Sequence, residues 1–264
     1  MEKTSAMVEG IPLAYNDRGS GKPLVLLHGF MESSEIWDEY ATELSETSRV
    51  ITPDLPGHGS SGMMGTVHRM DEMAMLIYRL LQHLNALPCT LVGHSMGGYV
   101  ALELAAHHPE AIEALCLFHS NAHEDSPEAI INRNRTISLV HQNRKGFISQ
   151  FIPELFAPDN RLKFANEIRL LQDRAAGMTS ESIIASLEGM KIRRNHYDTL
   201  RNLQIPVLQI IGMKDSRADL GKMQEQALLP AISMALYLRE CGHMGYLEAR
   251  EECFRVVESL KAKG

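Results

Sequence analysis

Gly93-His94-Ser95-Met96-Gly97, with Gly98 next, sets a serine between two glycines at a spacing that suits a nucleophile. The run follows the apolar stretch Thr90-Leu91-Val92 and precedes a helical pattern over 96–107. The serine therefore belongs on a sharp strand-to-helix turn. A turn that tight strains the serine backbone, and glycines two positions to either side remove side chains that would clash. The hydroxyl then stands above the C-terminal edge of a sheet. The first amides of the helix point at the same spot, where negative charge would develop during attack on a carbonyl. A chance match in a glycine-containing turn is the competing reading.

A serine hydroxyl is a weak nucleophile without a base. The chain has 12 histidines, so the base has to be chosen by context. His243 lies in Cys241-Gly242-His243-Met244-Gly245, after a strand pattern at 235–238 and before the last helix. A loop there brings an imidazole over the same sheet edge. His107, His108, His123 and His141 read as surface or capping residues. The base needs an acid to hold its tautomer. Asp215, in Gly212-Met213-Lys214-Asp215 after the strand 207–211, is the candidate, with a helix N-cap as its alternative role. Asp219 is expected to begin a helix. Glu240 is near His243 in sequence, but adjacency does not place its carboxylate on the ring.

An oxyanion needs donors. The backbone N–H of Met96 is the first, and His28-Gly29-Phe30-Met31, following the strand 24–27, offers the Phe30 N–H as the second. His28 reads as a structural residue that holds this loop.

The elements that must position these groups are legible as a repeating pattern. Short, continuously apolar runs at 24–27, 49–52, 90–92, 114–118, 207–211 and 235–238 read as strands buried on both faces. Ala6-Met7-Val8 and Ile11–Tyr15 flank Glu9-Gly10, a hairpin turn. Helices are expected over about 69–86, 96–107 and 246–262, the first because Met70, Met73, Ala74, Ile77, Leu80, Leu81 and Leu84 repeat at helical spacing. Buried strands alternating with helices imply an α/β protein with parallel units in a doubly wound sheet. Residues 121–203 break the alternation. They carry helix-like patches and no strong strand, and breaks at Pro153, Pro158 and Gly177 divide them into three or four short helices. The expected organisation is one core domain, 1–120 with 204–264, and a helical insertion at 121–203.

Composition narrows the class. The 264 residues carry a formal net charge of -7, the reverse of the basic excess of nucleic-acid binders. No apolar run approaches the length of a membrane span, and the first residues lack the apolar core of a secretory signal. Cys89, Cys116, Cys241 and Cys253 are scattered without a paired spacing, so neither a metal site nor a disulfide framework is suggested. A reducing, cytoplasmic setting is the expectation.

His28-Gly29-Phe30, Pro53-Asp54-Leu55-Pro56-Gly57-His58-Gly59-Ser60-Ser61, Gly93–Gly98, Gly212–Asp215 and Gly242-His243-Met244 together make the chain resemble the α/β-hydrolase superfamily. The order Ser95, Asp215, His243 is that of the superfamily's triad. The resemblance implies an eight-stranded, mostly parallel sheet, a helical cap over the site, and acyl-enzyme chemistry without a cofactor. Serine at the nucleophile position disfavours dehalogenase and epoxide hydrolase reactions, which use aspartate there. Asp54 and its turn look structural. Some members carry the acid one strand earlier, where this chain has His119-Ser120-Asn121 and no carboxylate.

The expected function is hydrolysis of a carboxylic ester, or a related acyl bond, of a small molecule by Ser95, His243 and Asp215, with water as second substrate. A lactonase, thioesterase, carbon–carbon bond hydrolase, cofactor-free peroxidase or lyase would use the same triad. A low-turnover receptor or a non-catalytic scaffold would keep only the fold. Met31 and Met244, beside the catalytic motifs, and Phe147 and Phe151, in the insertion, are candidate pocket residues. Ile130, Ile137, Leu155 and Phe156 read first as helix packing. Arg133, Arg135, Arg174, Arg193 and Arg194 would suit an acidic substrate, although the near-neutral insertion favours a solvated face. Oligomeric state is not readable from these residues.

Overall fold

The computed structural model describes residues 3–260. Eight strands form one sheet: β1 (Thr4–Val8), β2 (Ile11–Arg18), β3 (Pro23–Leu27), β4 (Arg49–Pro53), β5 (Cys89–His94), β6 (Ile112–Phe118), β7 (Pro206–Gly212) and β8 (Ile232–Leu238). Their order across the sheet is β1-β2-β4-β3-β5-β6-β7-β8. β2 runs antiparallel to both its neighbours, and every pairing from β4 to β8 is parallel. The β1–β2 turn holds Glu9 and Gly10 at φ 49° and 83°. Positive φ at both central residues matches the strand twist, so the two-residue hairpin closes.

Every residue of β5 is buried, as are Leu24–Leu27 of β3. Helices cover both faces there, which is why these strands are continuously apolar. β8 is the edge strand on the parallel side of the sheet, and most of its residues are exposed.

The helices are α1 (Asp38–Leu44), α2 (Met70–His83), α3 (Met96–His107), α4 (Pro127–Glu154), α5 (Ala165–Ala176), α6 (Ser180–Lys191), α7 (Tyr197–Asn202), α8 (Leu220–Ala227), α9 (Gly245–Glu248) and α10 (Arg250–Ser259). α2 buries the face that the periodicity marks: Met70, Met73, Ala74, Ile77, Leu80 and Leu81. Asp219 caps α8 by accepting the Lys222 N–H at 3.0 Å. No helix among the described residues is long and apolar enough to cross a membrane. All four cysteines are buried and free.

The helices between β6 and β7 keep the expected breaks and add one. α4 ends at Glu154, one residue past Pro153; Pro158 lies between α4 and α5; and Gly177 is the C-cap of α5. The added break is inside α4, which runs to 28 residues and is interrupted at Asn143 (φ −154°, ψ 76°). The Asn143 side chain accepts the Gly146 N–H at 2.9 Å and so acts as a cap inside the helix. Pro153 lacks the N–H that would bond the Ser149 carbonyl, and Gln172 donates to that carbonyl instead at 2.9 Å. The expected single helix from 246 is two, α9 and α10, split at Ala249 (φ −138°, ψ 48°). Residues 261 and 262 of that expectation lie outside the described residues.

Candidate active site

Ser95 joins β5 to α3 with φ 49° and ψ −115°, strained backbone that only a closely packed turn sustains. The packing leaves no room for side chains at its glycines. A Cβ on Gly93 would lie 2.4 Å from the Gly97 carbonyl oxygen, and one on Gly97 would lie 2.6 Å from that of His28. The Ser95 N–H donates to Phe118 O at 2.9 Å, and the Ser95 carbonyl accepts Ser120 Oγ at 2.7 Å. The elbow is thus clamped to the end of β6 on one side and to the β3 loop on the other.

His243 lies in the loop after β8. Its N–H donates to Leu155 O at 2.7 Å, tying the loop to the segment that follows α4. Its ring Nδ1 is 2.7 Å from Asp215 Oδ2, and Asp215 is in the loop after β7. A carboxylate only accepts, so Nδ1 carries the proton and the neutral ring keeps its lone pair on Nε2. Asp215 Oδ1 accepts the Arg217 N–H at 2.8 Å. Burial works to raise the Asp215 pKa, but the interaction with His243 and its hydrogen bond, with His119 and the Arg217 amide, hold it below the usual carboxylate value. His119, at the end of β6, is pushed down to about 3 by burial and stays neutral, with Nδ1 accepting the Gly212 N–H at 3.2 Å. Glu240 plays no part in this pair and binds Lys214 instead.

Ser95 and His243 line one cavity of about 290 Å³. No hydrogen bond joins their side chains among the described residues. Such contacts are often long before a substrate is bound. Met96 follows Ser95 directly, and a Cβ on Gly29, the residue before Phe30, would lie 3.1 Å from the Ser95 Cβ. Met96 is the first residue of α3, so its N–H has no intrahelical acceptor. The Phe30 N–H donates to no main-chain acceptor among the described residues. His28 holds that loop: Nε2 accepts the Leu55 N–H at 2.9 Å, which leaves Nδ1–H to donate to Gly29 O at 2.8 Å.

Beneath the elbow lies a second acid–imidazole pair that sequence spacing does not reveal. Glu32 Oε2 accepts the Gly29 N–H at 2.6 Å and faces His94 Nδ1 at 2.8 Å, and Glu32 Oε1 accepts the Tyr246 hydroxyl at 2.9 Å. His94 Nε2 is 3.0 Å from the His243 carbonyl oxygen. Both ring nitrogens of His94 therefore face atoms that only accept, which requires an imidazolium. Burial opposes charge on both groups. The His94 charge and hydrogen bond nevertheless hold Glu32 down to about 2, and Glu32 raises His94. Trp37 is fully buried against Phe118 and Tyr246, with ring centroids 5.6 and 5.8 Å away, and its ring lies edge-on to His94. Among the described residues no group of three His, Cys, Asp or Glu side chains is placed to hold a metal ion.

The family model for the alpha/beta hydrolase fold matches residues 22–249. The chain belongs to that family. A pimeloyl-[acyl-carrier protein] methyl ester esterase of Neisseria meningitidis serogroup B is 30% identical over 205 residues, covering 74% of this chain and 75% of that protein. The dihydrolipoyllysine-residue acetyltransferase component of the acetoin cleaving system of Pseudomonas putida is 32% identical over 244 residues, 88% of this chain. The match spans 61% of that protein, and a match to a Mycobacterium phage D29 relative spans 46%. Among solved structures, a malate-bound thermophilic esterase from Thermogutta terrifontis superposes with a TM-score of 0.91 at 29% identity, covering 98% of this chain and 97% of its own.

In this alpha/beta hydrolase chain the cavity walls differ in part from the expected set. Phe30 and Phe151 line the cavity, their rings edge to face at 5.9 Å, and so does Leu155. Phe147 stacks behind Phe151, 5.1 Å between centroids, and is not a wall residue. Met31 and Met244 are not on the wall either. Both are buried, Met31 at φ 61° in the turn after Phe30 and Met244 in the hydrophobic core. Ile130, Ile137 and Phe156 also lie off the wall. Of the five arginines, Arg133 lines the cavity. Arg193 is buried beside it, Arg174 pairs with Glu35, Arg194 with Glu103, and Arg135 reaches only Asn132. Arg217, which the motif reading passes over, also lines the wall.

Proposed function

We propose that the protein is a carboxylic ester hydrolase of small molecules in which Ser95 is the nucleophile, His243 the base and Asp215 the acid that orients it. The observation that carries this reading is the 2.7 Å His243–Asp215 pair, whose imidazole lines one cavity with Ser95. The Neisseria relative and the Thermogutta structure are both esterases, which supports the choice of bond.

His243 Nε2 takes the proton of Ser95 as its oxygen attacks the ester carbonyl. The tetrahedral oxyanion receives the N–H groups of Phe30 and Met96, donors fixed before the reaction begins. Collapse expels the alcohol, which takes the proton from His243. Water enters, gives a proton to His243 and attacks the acyl-enzyme, and the acid leaves Ser95 restored. Residues 121–203 act as the cap over a core of 1–120 and 204–264. Phe151, Leu155, Leu187 and Met190 bring that segment to the cavity wall opposite the elbow.

Ser95→Ala tests the reading with p-nitrophenyl butyrate. We expect kcat to fall by roughly 10³-fold or more while the urea unfolding curve stays in place. Activity that survives the substitution rules the mechanism out.

A further inference from the structure

We propose that the part of the cavity formed by Asn121, Arg133 and Met190 is an anion subsite, and that the preferred substrates are short esters that also carry a carboxylate. This rests on the esterase reading and names the substrate class for the same site.

The subsite has an excess of positive charge. Arg133 grips Asp125 through Nε and Nη2, and the same carboxylate is bonded by Arg193 Nη1. Two guanidiniums therefore share one counter-ion. Arg193 is buried under the Tyr99 ring, 4.3 Å from its centroid, and its Nε finds no partner among the described residues. A buried charge without a counter-ion is costly, and the neighbouring acids are committed elsewhere. Glu103 is held by Arg194 and by His196 at 3.1 Å. Glu124 is exposed and bonded to Asn195. Glu32, the one carboxylate on the cavity wall, is consumed by His94, Gly29 and Tyr246. Arg217, elsewhere on the wall, is matched by Glu154 at 2.8 Å.

The donors at this end are under-used as well. Among the described residues Arg133 Nη1 has only the Met190 sulfur at 3.6 Å, a weak acceptor. Asn121 Oδ1 faces Arg193 Nη2 at 3.4 Å. Arginine only donates, so the oxygen must point that way, and the Asn121 amide N–H groups point away from Arg193. Asn121 and Arg133 both line the cavity with Ser95. A carboxylate seated there would accept from both and would neutralise the shared charge.

The test compares monoethyl adipate with diethyl adipate at neutral pH, reading kcat/KM by pH-stat titration. The wild-type protein should favour the monoester, and Arg133→Met should cut the monoester-to-diester ratio of kcat/KM by about tenfold or more. Asp125 keeps Arg193 in that variant, and the ratio cancels any loss of folded protein because both esters meet the same sample. Arg133→Lys, which keeps the charge, should retain part of the preference. A wild-type preference for the diester, or an unchanged ratio in Arg133→Met, overturns the subsite and leaves the esterase reading standing. Hydrolysis of neither ester overturns both.

Discussion

At the scale of residues, the site is built from two acid–imidazole pairs with different hydrogen-bond settings. His243 meets one acceptor, Asp215, through Nδ1, which leaves Nε2 for the base role proposed above. His94 meets two acceptors, Glu32 and the His243 carbonyl, and is an imidazolium. Asp215→Asn should lower kcat by about 10³- to 10⁴-fold, because the amide favours the wrong tautomer of His243; steady-state kinetics on p-nitrophenyl butyrate checks it. Glu32→Gln should lower stability by about 3 kcal/mol, because it strands a buried charge. The pH profile of that loss has a defined sign. Glu32 sits at about 2, below its ordinary 4.5, so its contribution is complete above pH 4.5 and fades as pH falls toward 2. His94 is raised above 6.5, so its contribution is complete below that pH and is lost as pH rises through the folded value. Urea unfolding of Glu32→Gln across both ranges should show flatter slopes than the wild type. Ser95, Asp215 and His243 were legible because each follows a strand at a turn. Glu32 and His94 were not, since nothing in their 62-residue separation says that they touch.

At the scale of elements, the turn between β5 and α3 sets the geometry. Gly93→Ala would bring a Cβ within 2.4 Å of Gly97 O and 2.6 Å of Gly98 Cα. Both obstacles are backbone and cannot swing aside. The variant should lose roughly 1–3 kcal/mol in urea unfolding, with kcat falling as Ser95 is displaced. The central strands and α2 were readable because burial on both faces, or on one helical stripe, leaves a plain apolar pattern. The break inside α4 was not. α4 ends at Glu154, one residue past the proline that the sequence marks, and Gln172, from another element, takes the carbonyl that Pro153 leaves without a partner. The true break at Asn143 is local capping chemistry inside a polar helix with few buried residues.

At the scale of the whole molecule, the helices between β6 and β7 are joined to the His243 loop through Glu248. Its Oε2 accepts Ala157 N at 2.9 Å and Asn160 Nδ2 at 2.8 Å, and its Oε1 accepts Gly242 N at 3.0 Å and Met244 N at 3.2 Å. Glu248→Ala frees four N–H donors at once. We expect a loss of about 2–4 kcal/mol in urea unfolding and a kcat lowered about tenfold or more as His243 loses its fixed position. The sequence by itself determined the sheet, the elbow and the order of the three site residues, because those depend on local patterns: apolar runs, glycines beside a serine, a polar residue just past a strand. Only the tertiary structure decided which walls enclose the cavity, which arginines line it and which histidine meets two acceptors. Those properties depend on neighbours distant in the chain. Arg133 and Arg193 look alike in sequence and both hold Asp125, yet the first lines the cavity and the second is buried under the Tyr99 ring.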